Sequence, residues 1–164
     1  MKKKLIKKII ELEWLLLDVD GVLTDGSIIY DDNGKEIKRF NVKDGYGITL
    51  LKETGIKVGV ISGRGGKALQ KRLNEMRLDD VSLNNPKKAK ALKELEKKYG
   101  NSIYKSAFIG DDLPDLEVFN SVSIKVAVSN AVNEVKNNAD IVLSNSGGDG
   151  AVREFCDLIL KIKQ

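Results

Sequence analysis

The chain has 164 residues and a formal net charge of +4, with 41% hydrophobic and 32% charged residues. This is the composition of a globular protein long enough to bury a core, and the lack of any histidine excludes imidazole catalysis and histidine-ligated metal sites. The lysines concentrate at 2–8, 87–98 and 161–163 without an aromatic ladder, which favours solvated helix faces over a nucleic-acid surface.

Short apolar segments alternate with longer amphipathic ones along the chain. The apolar segments predict six buried strands, at 14–19, 57–61, 81–83, 103–109, 123–128 and 141–143. Helical patterns lie between and after them, at 46–53, 67–76, 87–98, 113–119, 132–137 and 151–162. Around 87–98, Asn85 is expected to cap the helix, Pro86 to begin it and Gly100 to follow its end. This order predicts one α/β domain over 1–164, a Rossmann-like open parallel sheet with helices on both faces.

A β-hairpin is predicted to interrupt this alternation directly after the first strand. Residues 27–30 and 36–41 alternate apolar and polar side chains around an Asp-Asp-Asn-Gly turn at 31–34. In open parallel sheets, ligands bind outside the carboxyl ends of the strands. The hairpin, about 27–41, is therefore expected to form a flap beside the functional site.

The end of the first predicted strand carries two aspartates, Asp18 and Asp20. Residues two apart in a strand point the same way, so both carboxylates can face the crevice. Two carboxylates this close repel each other, and a divalent cation or a shared proton is the usual remedy. Taken alone, the pair is equally consistent with a turn in which the aspartates cap the next element.

Two further polar clusters follow later strands. Residues 62–66 (SGRGG) offer a hydroxyl, backbone amides and a guanidinium for an oxyanion, although a plain strand–helix turn would also explain them. Residues 110–115 (GDDLPD) add three carboxylates suited to a hard cation. Alternatively, Asp112 caps a helix with Pro114 in its first turn. A lysine at the start of the 87–98 helix completes the set.

The order of these clusters favours a catalytic site over the alternative that they are only turns and helix caps. Paired aspartates, a hydroxyl, a lysine and a further acidic cluster would meet at one sheet edge. Together they would neutralise and orient a phosphate group. A carboxylate can then attack phosphorus, as in aspartyl-phosphate enzymes. The sequence therefore predicts a cation-dependent phosphoryl-transfer site.

On these residues the chain resembles the haloacid dehalogenase superfamily of phosphatases, whose four motifs it matches in order over nearly its whole length. Within that superfamily it resembles the capless phosphatases of 3-deoxy-D-manno-octulosonate 8-phosphate (KDO 8-phosphate). Some of these features are shared with phosphatases of nine-carbon sialic acid precursors. The carrying segments are LDVDGVLTDG at 17–26, FNVKDGYG at 40–47, SGR at 62–64, GDD at 110–112 and GGDGAVREFCDL at 147–158.

The resemblance implies a role for each matched residue. Asp18 would be the nucleophile and a magnesium ligand, and Asp20 the general acid–base group that binds magnesium through its main-chain carbonyl. Asp111 would complete the metal site, and Ser62 would hydrogen-bond the phosphoryl oxygens. The family pattern K-x-x-A-L selects Lys88 as the catalytic lysine. The residues expected to contact substrate are Asp20, Asn41, Val42, Lys43, Asp44, Gly45, Thr49, Arg64, Arg72 and Lys88.

One of the implied substrate contacts departs from the family pattern, and two others are arginines. Relatives carry an arginine two residues after G-Y-G, where this chain has Thr49, which affects one substrate contact and leaves the chemistry unchanged. Arg64 and Arg72 are expected to contact the sugar acid. They are eight residues apart, so one helix face carries both if the helix begins by Arg64.

The implied activity is magnesium-dependent hydrolysis of KDO 8-phosphate to KDO and inorganic phosphate through a phosphoaspartyl intermediate, in lipopolysaccharide precursor biosynthesis. Members that resemble this chain lack a cap domain and form homotetramers. A neighbouring subunit is therefore expected to close the site, with residues 147–150 and the C-terminal helix as candidates.

Three alternatives differ in what they predict. A phosphatase of a sialic acid-type 9-phosphate would share the site but not the substrate. A phosphoacceptor signalling domain would retain its phosphate, but there the phosphorylated aspartate normally lies on a later strand than the acidic pair. A catalytically silent subunit that binds sugar phosphates would have no need of the complete set Asp18, Asp20, Ser62, Lys88 and Asp111.

The expected location is the cytoplasm, without a membrane partner. The one cysteine, Cys156, cannot form an internal disulfide, which suits a reducing compartment. Residues 1–4 resemble the charged start of a signal peptide, but acidic residues from Glu11 to Asp20 interrupt the apolar stretch that such a peptide needs next. No apolar run approaches the roughly 20 residues that span a membrane.

Overall fold

Six strands form one parallel sheet in the computed structural model of the chain, which describes residues 2–164. The strand order is β5-β4-β1-β6-β7-β8, and every neighbouring pair is parallel. The predicted open parallel sheet is therefore confirmed. The strands of the sheet are β1 Trp14–Leu17, β4 Lys57–Ile61, β5 Asp80–Ser82, β6 Ser106–Gly110, β7 Ile124–Ala127 and β8 Ile141–Val142, and β2 Ile29–Tyr30 and β3 Glu36–Ile37 form a separate pair.

Helices cover both faces of the sheet. All four residues of β1 are buried, and alternate side chains of a strand point to opposite faces, so neither face is exposed to water there. Interhelical contacts connect α1, α2, α3 and α7 in one group and α4, α5 and α6 in another, as right-handed crossovers require. The helices are α1 Lys3–Ile10, α2 Val42–Glu53, α3 Lys67–Met76, α4 Lys88–Tyr99, α5 Leu116–Phe119, α6 Asn133–Asn138 and α7 Ala151–Lys163.

The predicted hairpin follows β1, and it is shorter than expected. Strands β2 and β3 pair antiparallel over two residues each, with Ile29 opposite Ile37. The Asp31 side chain accepts hydrogen bonds from the backbone N–H groups of Asn33 and Lys35, at 2.9 and 2.8 Å. Gly34 adopts φ 73°, which closes the Asn-Gly turn. Within residues 2–164 the hairpin is the only insertion between β1 and α2, and no cap domain is present.

Two helices at the amino-terminal end differ from the prediction. Helix α1 was not among the predicted helical patterns, although the lysines at 2–8 were interpreted as a solvated helix face. It forms because its apolar face packs on α7, burying Ile9 completely. Helix α2 begins at Val42 rather than at 46. The reason is local, because the Asn41 side chain accepts a hydrogen bond from the Lys43 backbone N–H at 2.8 Å and so caps the helix four residues earlier.

Two predicted boundaries in the middle of the chain are also wrong. Helix α4 begins at Lys88, so Asn85 does not cap it and Pro86 does not begin it. The Asn85 backbone N–H is instead bonded to the Ser62 carbonyl at 3.1 Å, which ties this loop to the end of β4. The predicted strand 103–109 begins later, because residues 100–105 form a 3₁₀ turn before Ser106.

The glycine-rich segment 147–150 packs on a loop of its own chain. The Gly148 backbone N–H donates to the Val22 carbonyl at 2.9 Å. A Cβ atom at Gly147 would lie 1.6 Å from the Gly21 carbonyl oxygen, so no other residue fits without moving the backbone. This segment therefore supports the loop that follows Asp18 within the same subunit.

No helix within residues 2–164 combines the length and the apolar character that crossing a membrane requires.

Candidate active site

The candidate site lies where three adjacent strands end. Asp18 directly follows β1, Ser62 follows β4, and Asp111 follows β6. Because β4 and β6 both pair with β1, their carboxyl ends are neighbours at one edge of the sheet. The fourth element, Lys88, is the first residue of α4.

A cavity of about 310 Å³ opens at this edge. Every residue predicted to be catalytic or to bind metal lines it, and so does Arg64. The residues that line it are Asp18, Asp20, Ser62, Gly63, Arg64, Pro86, Lys88, Asp111, Asp112 and Pro114.

Lys88 is a buried cation between two carboxylates. Its Nζ lies 2.8 Å from Asp18 Oδ2 and 2.5 Å from Asp115 Oδ1. Only 7% of its side chain is exposed. Burial alone would lower the pKa of Lys88, but the charges of Asp18 and Asp115 outweigh it and raise that pKa. The lysine therefore stays protonated next to the predicted nucleophile.

Asp115 is a site residue that sequence reasoning did not select. It is completely buried, and its Oδ2 accepts hydrogen bonds from the backbone N–H groups of Asp111 and Asp112, at 2.8 and 3.2 Å. The sequence interpretation of a capped helix start is also correct, because Asp112 and Asp115 form a capping box. The signal was the third carboxylate of GDDLPD, which capping alone had seemed to explain.

The carboxylates of the site are held close together away from water. Burial raises the pKa of Asp18 to about 6, and the charge of Asp115 adds to this while Lys88 opposes it. Burial also raises the pKa of Asp111 to about 8, with further contributions from Asp18 and Asp115. Without a cation, the site therefore resists full ionisation.

The donor set fits a hard divalent cation. Carboxylate oxygens of Asp18, Asp111 and Asp115 lie within 4.8 Å of one another, and Asp111 Oδ1 is buried with no hydrogen-bond partner among residues 2–164. Both oxygens of Asp115 are already occupied by Lys88 and backbone N–H groups. Asp18 and Asp111 are therefore the side-chain ligands that remain available.

A pH-dependent response to magnesium is expected from these pKa values. Both carboxyls have pKa values above their ordinary 3.8, so the cation-free fold binds protons more tightly than the unfolded chain. Its unfolding free energy should fall as pH rises from about 4 to about 8, and cation binding should offset that loss. Magnesium should therefore raise the melting temperature more at about pH 8.5 than at about pH 5.5, by on the order of 5 °C at saturation.

Thermal melts with and without magnesium across this pH range measure the effect. Asp111→Asn should lose most of the magnesium response, whereas Asp112→Asn, an exposed neighbour whose amide can still cap, should keep it. An equal magnesium shift at every pH would contradict the coupling between these carboxyls and the cation.

Most residues predicted to contact the sugar form a second cluster that does not line the cavity. Residues 41–45 are the cap and first turn of α2, and an Nη atom of Arg72 lies 3.4 Å from the Asn41 carbonyl. A Cβ atom at Gly45 would lie 2.3 Å from the same guanidinium, so Arg72 packs directly on this turn. Helix α3 begins at Lys67, so Arg64 lies in the preceding loop and the two arginines do not share a helix face.

Two of the predicted contact residues have other contacts in this chain, and a third is exposed. The Asp44 carboxylate is buried and accepts a hydrogen bond from the Arg153 backbone N–H at 2.8 Å, which caps α7; burial raises its pKa. The exposed Thr49 donates its hydroxyl to the Gly45 carbonyl at 3.2 Å. Val42 is 77% exposed.

The hairpin contributes a charged network to the rim of the cavity. Lys38 donates a hydrogen bond to Asp20, and its Nζ lies 3.3 Å from Glu36 Oε1. The same Glu36 oxygen accepts from Arg64 at 2.7 Å. The hairpin therefore lies beside the cavity and contacts it through side chains that the sequence did not single out.

Comparisons with known proteins identify the family of the chain. Residues 74–155 match the haloacid dehalogenase-like hydrolase family. The 3-deoxy-D-manno-octulosonate 8-phosphate phosphatase KdsC of Haemophilus influenzae is 41% identical over 155 residues, which are 94% of this chain and 86% of that protein. The corresponding protein of Moraxella catarrhalis, in a crystal structure with magnesium, phosphate and KDO, is 36% identical with a TM-score of 0.94 over 99% of this chain and 94% of that one.

The chain is also similar to a second solved phosphatase structure, which contains cobalt. The cobalt-bound deoxy-D-mannose-octulosonate 8-phosphate phosphatase of Haemophilus influenzae matches with a TM-score of 0.90 and 41% identity, over 95% of this chain and 91% of that one.

Proposed function

This chain belongs to the haloacid dehalogenase-like hydrolase family, and we propose that it is a magnesium-dependent phosphatase that hydrolyses KDO 8-phosphate to KDO and inorganic phosphate. The observation that carries the proposal is the group of Asp18, Asp111 and Lys88, in which Asp18 and Asp111 follow strand ends and Lys88 is a buried cation beside Asp18. Relatives at about 40% identity over most of the chain carry the name of this activity.

Asp18 is the nucleophile of the first step. Its carboxylate attacks phosphorus and the bond between phosphorus and the sugar oxygen breaks, while Asp20 gives a proton to that oxygen. Lys88 holds the Asp18 carboxylate in place at 2.8 Å. Ser62 is almost fully buried and accepts a hydrogen bond from the Arg64 backbone N–H at 3.2 Å, which leaves its own hydrogen for a phosphoryl oxygen.

Water completes the reaction in the second step. Asp20 takes a proton from water, which attacks the phosphorus of the phosphoaspartate, and the bond to the Asp18 oxygen breaks. This returns Asp18 as a carboxylate and releases inorganic phosphate. Both steps therefore need the carboxylate of Asp20 within reach of the cavity, which it lines.

Asp18 and Asp111 would hold the magnesium ion through their side chains, with the main-chain carbonyl of Asp20 as a third ligand. When bound, the cation offsets the negative charge of the phosphoryl group and of the carboxylates around it. Lys88 adds a positive charge of the protein next to Asp18, where the phosphate is attacked.

Arg64 and Arg72 are proposed to bind the sugar acid, together with residues 41–45 and Thr49. A planar guanidinium can hold a carboxylate through two parallel hydrogen bonds. Arg72→Ala should lower kcat/KM for KDO 8-phosphate by about tenfold or more, on the order of 1.4 kcal/mol. It should leave kcat/KM for 4-nitrophenyl phosphate nearly unchanged, because that substrate has no carboxylate.

Steady-state kinetics on the two substrates test this role. Lys71→Ala, an exposed neighbour on α3, is the matched control and should behave as wild type on both. Equal losses on both substrates in Arg72→Ala would show that Arg72 supports the turn at residues 41–45 rather than the sugar acid.

A homotetramer is proposed as the working form of this single-domain chain. The cavity has no cap, and Arg72 with residues 41–45 does not line it, so a neighbouring chain is needed to surround the sugar. The hairpin exposes apolar side chains that suit such a contact, namely Ile28, Ile29, Tyr30 and Ile37.

Light scattering in solution tests the assembly. A monomer with full substrate specificity would contradict the proposed homotetramer.

The cytoplasm is the proposed location, and lipopolysaccharide precursor biosynthesis the proposed pathway. The one cysteine, Cys156, is free and buried, which is compatible with a reducing compartment. The phosphoacceptor and silent-subunit alternatives have no specific support, because the curated relatives over most of this chain are named as phosphatases.

A further inference from the structure

Lys38 reaches from the hairpin into the rim of the active site. It follows β3 directly, and only 3% of its side chain is exposed. Glu36 and Lys38 are two residues apart, so both point to the same side of the strand, while Ile37 between them faces out and is 48% exposed. The alternation of the hairpin therefore directs one acid and one base at the site.

The contacts of Lys38 connect two functional groups that are not neighbours in the sequence. Its Nζ donates to Asp20 Oδ1 and lies 3.3 Å from Glu36 Oε1, which in turn accepts from Arg64 at 2.7 Å. Two positive side chains, Lys38 and Arg64, thus alternate with two negative ones, Asp20 and Glu36, in a chain of ion pairs whose charges sum to zero. A lysine is rarely buried to this degree unless it is paired in this way.

The Asp20 carboxylate is bonded to Lys38. Among residues 2–164, Lys38 is the only group that donates a hydrogen bond to the Asp20 carboxylate. Asp18 and Asp115, by contrast, are held by Lys88 and backbone N–H groups. Asp20 lies in a hydrogen-bonded turn after β1, and no backbone N–H group among residues 2–164 donates to its carboxylate.

We propose that Lys38 is a positioning residue for the reaction: it holds the Asp20 carboxylate facing the cavity, so that Asp20 can pass protons in both steps. Glu36 fixes Lys38 from the other side and ties it to Arg64. This inference rests on the proposed function, in which Asp20 is the general acid–base group. It gives the hairpin a role within its own subunit, beyond any contact with a neighbour.

If the Asp20 carboxylate loses its orientation, the effect should appear in the second step, the hydrolysis of the phosphoaspartate. With 4-nitrophenyl phosphate, the leaving group departs readily without a proton from Asp20, so phosphoaspartate still forms. Its hydrolysis still needs Asp20 as a base. Lys38→Met should therefore lower kcat by about tenfold to a hundredfold, lower KM in parallel, and leave kcat/KM nearly unchanged.

Acid quench during turnover measures the phosphoenzyme directly. Its fraction should rise in Lys38→Met and return towards wild type in Lys38→Arg, whose guanidinium can hold the same carboxylate. Lys35→Met, an exposed lysine of the same hairpin, is the matched control and should match wild type. Lys38→Gln provides a second test if the methionine variant does not fold, as judged by its melting temperature.

The outcomes separate this inference from the proposed function. A failure of the proposed function would appear in wild type, as no magnesium-dependent release of phosphate. If wild type turns over normally and Lys38→Met shows the same kcat and phosphoenzyme fraction, Lys38 does not position Asp20. A fall in kcat/KM with no rise in phosphoenzyme would overturn the inference too, because it would mean that Lys38 acts on substrate binding or folding.

Discussion

Replacement of Asp18 by asparagine is expected to lower kcat by at least about a thousandfold. The amide is a poor nucleophile and a weak ligand for magnesium, so the variant loses two functions at once. The environment adds to the effect, because Lys88 is placed 2.8 Å from Asp18 to hold a negative charge that the amide does not carry.

Phosphate release under saturating substrate measures this loss. Asp112→Asn is the matched control, since Asp112 lines the same cavity but is exposed and pairs only with local backbone. It should keep most of the wild-type activity. More than a thousandth of wild-type kcat in a folded Asp18→Asn variant would remove Asp18 as the nucleophile.

Replacement of Asp20 by asparagine is expected to block the second step more than the first. General acid–base groups typically contribute on the order of 10²–10⁴ in rate, and kcat should fall by that amount. With 4-nitrophenyl phosphate the first step needs little acid assistance, so phosphoaspartate should accumulate on Asp18. An early burst of nitrophenolate, close to one equivalent per site, should precede the slow phase.

Acid quench after the burst tests the assignment of roles. The trapped phosphate should be absent when Asp18 is also replaced, in the double variant Asp18→Asn with Asp20→Asn. If Asp20→Asn never yields a trapped phosphoenzyme, the division of roles between the two aspartates is wrong, even if both variants are inactive.

The sheet was predictable because its strands are buried on both faces. All four residues of β1 are buried, and so are all residues of β4 after Lys57, which is the pattern of central parallel strands. The ends of helices were less predictable, because they depend on single side chains. Asn41 extends α2 by four residues, whereas Asn85 in a similar sequence context caps nothing.

Helix α1 shows that the stability of a short helix depends on contacts with segments distant in the sequence. The helical patterns predicted from the sequence begin at residue 46, although the lysines at 2–8 were interpreted as a solvated helix face. The helix has a strong apolar face, and Ile9 is buried because α7, some 140 residues later, provides a surface for it. Contacts between distant segments decide whether such a short helix is stable.

The residues of the cavity were predictable as a group, since each follows a strand that the sequence identifies. Their partners were not. Asp115 supports Lys88 from a position that looked like an ordinary helix cap, and Lys38 is one lysine among many in a basic chain. Both depend on tertiary contacts, between α4 and the turn after β6 in one case, and between the hairpin and the loop after β1 in the other.

The second cluster, around Arg72, was predicted only through resemblance. Arg72 contacts the first turn of α2, and Asp44 in that turn faces the amino-terminal end of α7. Nothing in their spacing along the sequence indicates these contacts. How this cluster meets the sugar depends on the arrangement of chains around the cavity, which is the reason for proposing a shared site.

The most direct test of the proposed function is a comparison of kcat/KM for phosphate release from a set of sugar phosphates, in magnesium and in excess EDTA. The set should include KDO 8-phosphate, a sialic acid 9-phosphate and common hexose phosphates. We expect KDO 8-phosphate to give the highest kcat/KM, many turnovers per enzyme, and no release in EDTA. A preference for the sialic acid 9-phosphate, full activity in EDTA, or release of no more than one phosphate per enzyme would contradict the function proposed for this chain.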